Sequence, residues 1–170
     1  MTASDSLAML LESKKIIKEG FHYSLDPSRV VQALGESDRL ERVGAGYHFT
    51  SYRLDLSGFS YCLSLSRPRF HEGTSVDLDN WMKAMKQLQS LDNPLIPPML
   101  HGTHEGKAYY LSPYCPQNFS QGKSVINPWL ANLKQDLADQ GLMVDDYWQV
   151  RCFHQHPFVI DWSDLKFTRP

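Results

Sequence analysis

Two carboxylates follow a short apolar run near the end of this chain. Phe158-Val159-Ile160 holds three apolar residues, two of them β-branched, and predicts a buried strand. Asp161 leaves that strand at once, and Asp164 lies in the turn beyond it. A carboxylate leaving a buried strand is held rigidly while its oxygens face a cleft. Such a placement suits Mg²⁺, which takes oxygen ligands, commonly one or two carboxylates plus phosphate oxygens. A strand end closed by an Asp/Ser turn is the plainer use of the same residues.

Other chemistry-bearing residues are weaker signals. His101 and His104, and His154 and His156, form close pairs, with Cys152 beside the second. His-x-His on a strand puts both imidazoles on one face, which suits zinc. Third and fourth ligands at recognised spacing are missing, so turn histidines on a hairpin explain the pattern more simply. The chain has no nucleophile elbow, zinc-finger spacing or Walker loop.

The bulk composition sets limits on function. The 170 residues are 42% apolar and 21% charged, an ordinary soluble composition with enough length for a real core. The net charge of −2 and the lack of a basic run argue against nucleic acid and anionic lipid as partners. No apolar run is long enough to span a bilayer, and Met1 to Ser6 lacks the pattern of a signal peptide. Cys62, Cys115 and Cys152 are odd in number and widely spaced, which predicts reduced thiols and a cytoplasmic setting.

The elements that must position Asp161 can be read in order. A helix is expected over 4–19, stopped by Gly20, and a second opens at Asp26-Pro27 and ends at Gly35. Both are expected to pack on a sheet through their apolar faces. From Leu40 the period changes to two. Three antiparallel strands follow, with the glycine-rich turn Gly44-Ala45-Gly46 and a hairpin at Ser57-Gly58; Tyr61, Leu63 and Leu65 share one face. Ser75 caps a helix reaching about Leu91, which Asn93-Pro94 and Pro97-Pro98 break. Two further strands flank the turn Thr103 to Gly106, Pro113 to Pro116 is a rigid connector, and Asn127-Pro128 starts a helix to about Gln140. Residues 141–150 are ambiguous, and Phe158 to Ile160 is the final strand.

This order of elements resembles the protein-kinase-like fold. Val159-Ile160-Asp161-Trp162 is similar to the metal-binding segment of its aminoglycoside and choline kinase branch, and Gly44-Ala45-Gly46 with the strand after it resembles the phosphate-covering loop. The resemblance covers about residues 38–165. It implies a nucleotide held by Gly44, Gly46 and the third-strand position Ser64, Mg²⁺ held by Asp161 with Gln149, and Asp145 or Asp146 as the catalytic carboxylate. ATP and Mg²⁺ are the implied cofactors.

The departures from that pattern are specific. Phe49 stands where the loop's third glycine belongs. The third strand, Tyr61 to Ser66, has no lysine, and the nearest match, Ser64, cannot supply a positive charge. Arg67 and Arg69 are the nearby cations. The partner glutamate of the next helix is also missing, with only Asp77 and Asp79 near its start. Asp145 and Asp146 read equally as a solvated acidic turn. Nine residues follow Asp161, enough for a stub of the lower lobe.

The expected fold is therefore α+β. A five-stranded antiparallel sheet with a packed helix precedes a truncated helical C-terminal part, within one kinase-like domain over 1–170. Its parts are the N-terminal helices at 1–37, a sheet lobe at 38–116 and a reduced C-terminal lobe at 117–170. The expected function is a degenerate kinase-like regulatory or binding protein with weak nucleotide affinity and a protein partner. The alternatives are an active ATP/Mg²⁺-dependent phosphotransferase on a small molecule or protein, and a purely structural interaction module.

Overall fold

The computed structural model describes residues 3–46, 48–67, 78–144 and 149–168. Helix α1 (Ala3–Ser24) runs past Gly20, which does not stop it. The extra turn carries Phe21 into the core, and Phe21 O accepts the Tyr61 hydroxyl at 2.6 Å. A Cβ on Gly20 would meet the Phe59 ring at 3.6 Å. Helix α2 (Pro27–Gly35) starts as its sequence demands: Asp26 caps it, accepting from the Ser28 amide at 3.1 Å, with proline in the first turn.

Strands β1 (Glu41–Ala45), β2 (Phe49–Leu56) and β3 (Phe59–Ser66) form an antiparallel meander. Ser57 and Gly58 both take positive φ, the signature of a two-residue primed hairpin turn. Helix α3 (Leu78–Gln89) follows; Ser75 and Asp77 lie outside the described residues. Strands β4 (Leu100–His104) and β5 (Lys107–Pro113) complete a five-stranded sheet in the order β1-β2-β3-β5-β4.

Alternation along these strands sorts side chains to two faces. On one face Tyr61, Leu63, Leu65 and Leu111 pack with Phe21, Val30 and Leu34 of α1 and α2. On the other, Phe49, Ala108 and Tyr110 pack with Trp81 and Met85 of α3, and that core continues into Val159 and Trp162. A fully buried aromatic such as Tyr61 or Trp81 contributes about 1.5–3 kcal/mol. Helices α1 and α2 thus cover one face of the sheet and α3 the other.

After the sheet come a short β6 (Gln117–Asn118), helix α4 (Lys123–Asp139), β7 (Leu142–Met143), β8 (Val150–Phe153), β9 (His156–Val159) and β10 (Lys166–Phe167). Helix α4 begins at Lys123, ahead of the expected Asn127-Pro128 start, and takes Pro128 into its interior. The added turn buries Ile126 in the core, which offsets the backbone hydrogen bond that proline cannot make. The C-terminal part thus holds α4 beside two small antiparallel ladders, β6-β8-β9 and β10-β7.

Two buried polar residues bind these parts together. Asn93 donates to Asp136 of α4 at 2.8 Å, accepts from the Leu95 amide at 2.9 Å, and its carbonyl accepts Lys14 Nζ at 2.7 Å. His156 donates from Nε2 to the Pro94 carbonyl at 2.7 Å and accepts at Nδ1 from Ser13 at 2.9 Å. These bonds give His156 a structural role. Among the described residues no three His, Cys, Asp or Glu side chains gather as a metal site.

Candidate functional site

A cavity of about 370 Å³ lies between the glycine-rich turn, the sheet face carrying Ser64, the connector after β5, and the loop after β9. Gly44, Gly46, Ser64, Gln149 and Asp161, expected to share a site, all line it. Asp145 and Asp146 lie outside the described residues. So does Arg69, the more distant of the two cations near the third strand.

The roof follows from β1. Val43 is an extra residue between paired Arg42 and Gly44, a bulge that bends the strand end over the cavity. A Cβ on Gly44 would meet nothing within 4 Å, and on Gly46 only the Phe49 carbonyl at 3.8 Å. Both glycines line the cavity with backbone alone. Arg67 closes the turn: its backbone amide donates to His48 O at 2.7 Å and its Nη1 to Gly46 O at 3.1 Å. Phe49 turns inward, buried with its ring 5.7 Å from Trp81 and 5.4 Å from Tyr110.

The wall is built of hydroxyls and thiols. Because Tyr61, Leu63 and Leu65 take one face of β3, Cys62 and Ser64 must take the other. Ser64 is 2% exposed, and its Oγ lies 2.9 Å from Ser51 Oγ on β2. Its cross-strand partner is Tyr110. Tyr110 donates in turn to the Ile160 carbonyl at 3.3 Å, the residue before Asp161. Burial, reinforced by the nearby Asp161 carboxylate, pushes the Tyr110 phenol far above its usual range. It stays a neutral donor. Burial also raises Cys62, and pushes Cys115 up to about 12, which disfavours the thiolate at both.

Asp161 is exposed to the cavity. Its Oδ1 accepts from Ser163 N at 3.1 Å and Ser163 Oγ at 2.7 Å, the turn its sequence context predicts. Trp162 is fully buried, donating its indole N–H to Val159 O at 2.9 Å, and its own carbonyl accepts Trp81 Nε1 at 3.1 Å. That last bond ties α3 to the Asp161 loop. Gln149 sits beside it because its carbonyl accepts the Ile160 amide at 3.1 Å.

The connector edge is closed by Arg151. Its Nε donates to Cys115 O at 2.8 Å, Nη1 to Asn118 at 2.8 Å, and Nη2 to Pro116 O. Pro113 and Pro116 have no backbone N–H to offer a ligand. Arg151 and Tyr110 were not singled out from sequence. Alternation in β5 signals that Tyr110 and Ala108 share a face; nothing local to Arg151 signals its distant carbonyl partners.

No family model matches the chain, and no curated protein matches it. Among solved structures, a mutant form of the PknI kinase domain of Mycobacterium tuberculosis is similar, with a TM-score of 0.53 at 14% identity. The match covers 72% of this chain and 57% of that one. The fold is protein-kinase-like. The chain spans little more than half the length of that kinase domain, and the likeness speaks for the fold alone. Among the described residues no helix is long and apolar enough to cross a membrane.

Proposed function

We propose that this chain is a kinase-like binding and regulatory protein whose cleft does not carry ordinary phosphotransfer. One observation carries the reading. The third-strand position facing the cavity is Ser64, a buried hydroxyl bonded to Ser51, where phosphoryl transfer needs a cation.

The described residues fit ATP and Mg²⁺ poorly. Arg67 is engaged with the Gly46 carbonyl, and Arg151 spends three nitrogens on residues 115–118. Asp161 is the one carboxylate among the described lining residues, and Ser163 holds one of its oxygens. Mg²⁺ usually needs more, from a second carboxylate or from phosphate. Nucleotide affinity is therefore weak and nearly independent of Mg²⁺. Regulation runs through a protein partner.

Thermal-shift measurements with ATP, ADP and adenosine, each with and without MgCl₂, test this reading. A ligand bound by the native state alone raises the melting point. The expected shifts are small and alike with and without metal. A large shift requiring Mg²⁺ would instead favour an active phosphotransferase with Asp161 on the metal and Asp145 or Asp146 as base.

A further inference from the structure

Lys14 of α1 lines a cavity of about 700 Å³ between that helix and the loop that joins α3 to β4. Leu11, Leu91, Ile96, Pro97 and Met99 give this cavity apolar walls. Lys14 is half-buried, and its Nζ donates to the Asn93 carbonyl at 2.7 Å. An ammonium has three protons to place, and this carbonyl is the one hydrogen-bond acceptor it meets among the described residues. No described carboxylate comes within 4 Å of it. Such a setting disfavours the charged form of the amine.

Charged groups act on it from three sides. Lys18 stands one turn further along α1 and opposes the charge, while Asp92, in the loop after α3, favours it. His156, at the start of β9, is near enough to feel Lys14. Glu12, Lys15 and His22 of α1 line the same cavity. Burial outweighs Asp92, and the Lys14 amine is lowered to about 8. At pH 7 roughly one molecule in ten then carries the neutral amine, against roughly one in three thousand for a lysine at its usual value.

We propose that Lys14 is a covalent site for small apolar aldehydes, held as an imine in this cavity. A desolvated lysine amine is the nucleophile that carbonyl compounds select. Its nitrogen attacks the carbonyl carbon, a proton passes from nitrogen to oxygen, and water leaves as the C=N bond forms. The step needs no oxidant or reductant. The protonated imine keeps one N–H for the Asn93 carbonyl. The apolar walls favour an uncharged aldehyde over a charged one.

The test uses the full chain, benzaldehyde in limiting amount and sodium cyanoborohydride, which reduces the imine to a secondary amine that peptide mass spectrometry locates. At pH 7 Lys14 should label about tenfold faster than Lys15 and Lys18, its exposed neighbours on the same cavity. The preference should shrink as pH rises to about 10, where ordinary lysines also lose protons. It should vanish in concentrated guanidinium chloride, where the cavity is gone. Asp92→Asn should speed labelling of Lys14 about twofold, and Lys18→Gln should slow it by about the same factor. Lys14→Arg should remove the adduct, and circular dichroism melts check the fold of each variant. The proposal is overturned if Lys14 labels no faster than Lys15 and Lys18, or if its preference survives unfolding. It is also overturned if the two charge variants fail to move the rate in opposite directions.

Discussion

Ser64 Oγ lies 2.9 Å from Ser51 Oγ, so the third-strand position that faces the cleft is turned toward a neighbouring strand. A neutral hydroxyl pair at this place holds the sheet and carries no charge for a phosphate. Ser64→Ala should cost about 1 kcal/mol in urea denaturation, with unchanged slope, because Ser51 loses its partner. Nucleotide-induced melting shifts should be the same in the variant. Altered shifts at unaltered stability would give Ser64 a ligand-binding role.

Asp161 gives a second test. Its oxygen caps the turn through Ser163, and its side chain is exposed. Asp161→Ala should lower stability by about 0.5–1 kcal/mol, at the low end for a charge-assisted bond because water competes. The loss should be equal with and without MgCl₂. Metal stabilisation of the wild type that vanishes in the variant would assign the carboxylate to Mg²⁺.

The bond from Trp81 to the Trp162 carbonyl couples α3 to the cleft. Trp81→Phe keeps an aromatic ring and removes the N–H, leaving a buried carbonyl short of that donor. Chemical denaturation should show a loss of about 1–3 kcal/mol. A loss near zero would mean that the tie contributes nothing.

His156 predicts a pH response. Burial depresses its pKa below the usual 6.5, and nearby Lys14 adds to this, while its bond to Pro94 opposes it. The imidazole is neutral in the folded protein, and the unfolded chain binds the proton more readily. Stability is therefore full above about pH 6.5 and falls as pH drops below it toward the folded-state pKa. His22 and His101 are depressed in the same direction, also chiefly by burial. Melts from pH 7.5 to 5 should show the decline, and His156→Gln should flatten part of it. An unchanged slope would place the effect elsewhere.

Much of this was legible locally. Period-two patterning placed Tyr61, Leu63 and Leu65 on one face and so turned Ser64 to the other. Asp26-Pro27 and Ser57-Gly58 carry their own backbone chemistry and start a helix and a hairpin where expected. Gly20 and Asn127-Pro128 misled, since burying Phe21 and Ile126 outweighs a local stop or start signal. Tyr110 and Arg151 were not legible as site residues. Their partners, Ile160 for one and residues 115–118 for the other, are distant in sequence and meet only in the fold.

The central claim is that the described residues of this cleft offer no free positive charge for a phosphate chain. Isothermal titration calorimetry with ATP, in the presence and absence of MgCl₂, measures that directly. The account predicts weak binding, at about 0.1 mM or weaker, whose affinity is unchanged by the metal. Tight binding that appears only with Mg²⁺ would contradict it.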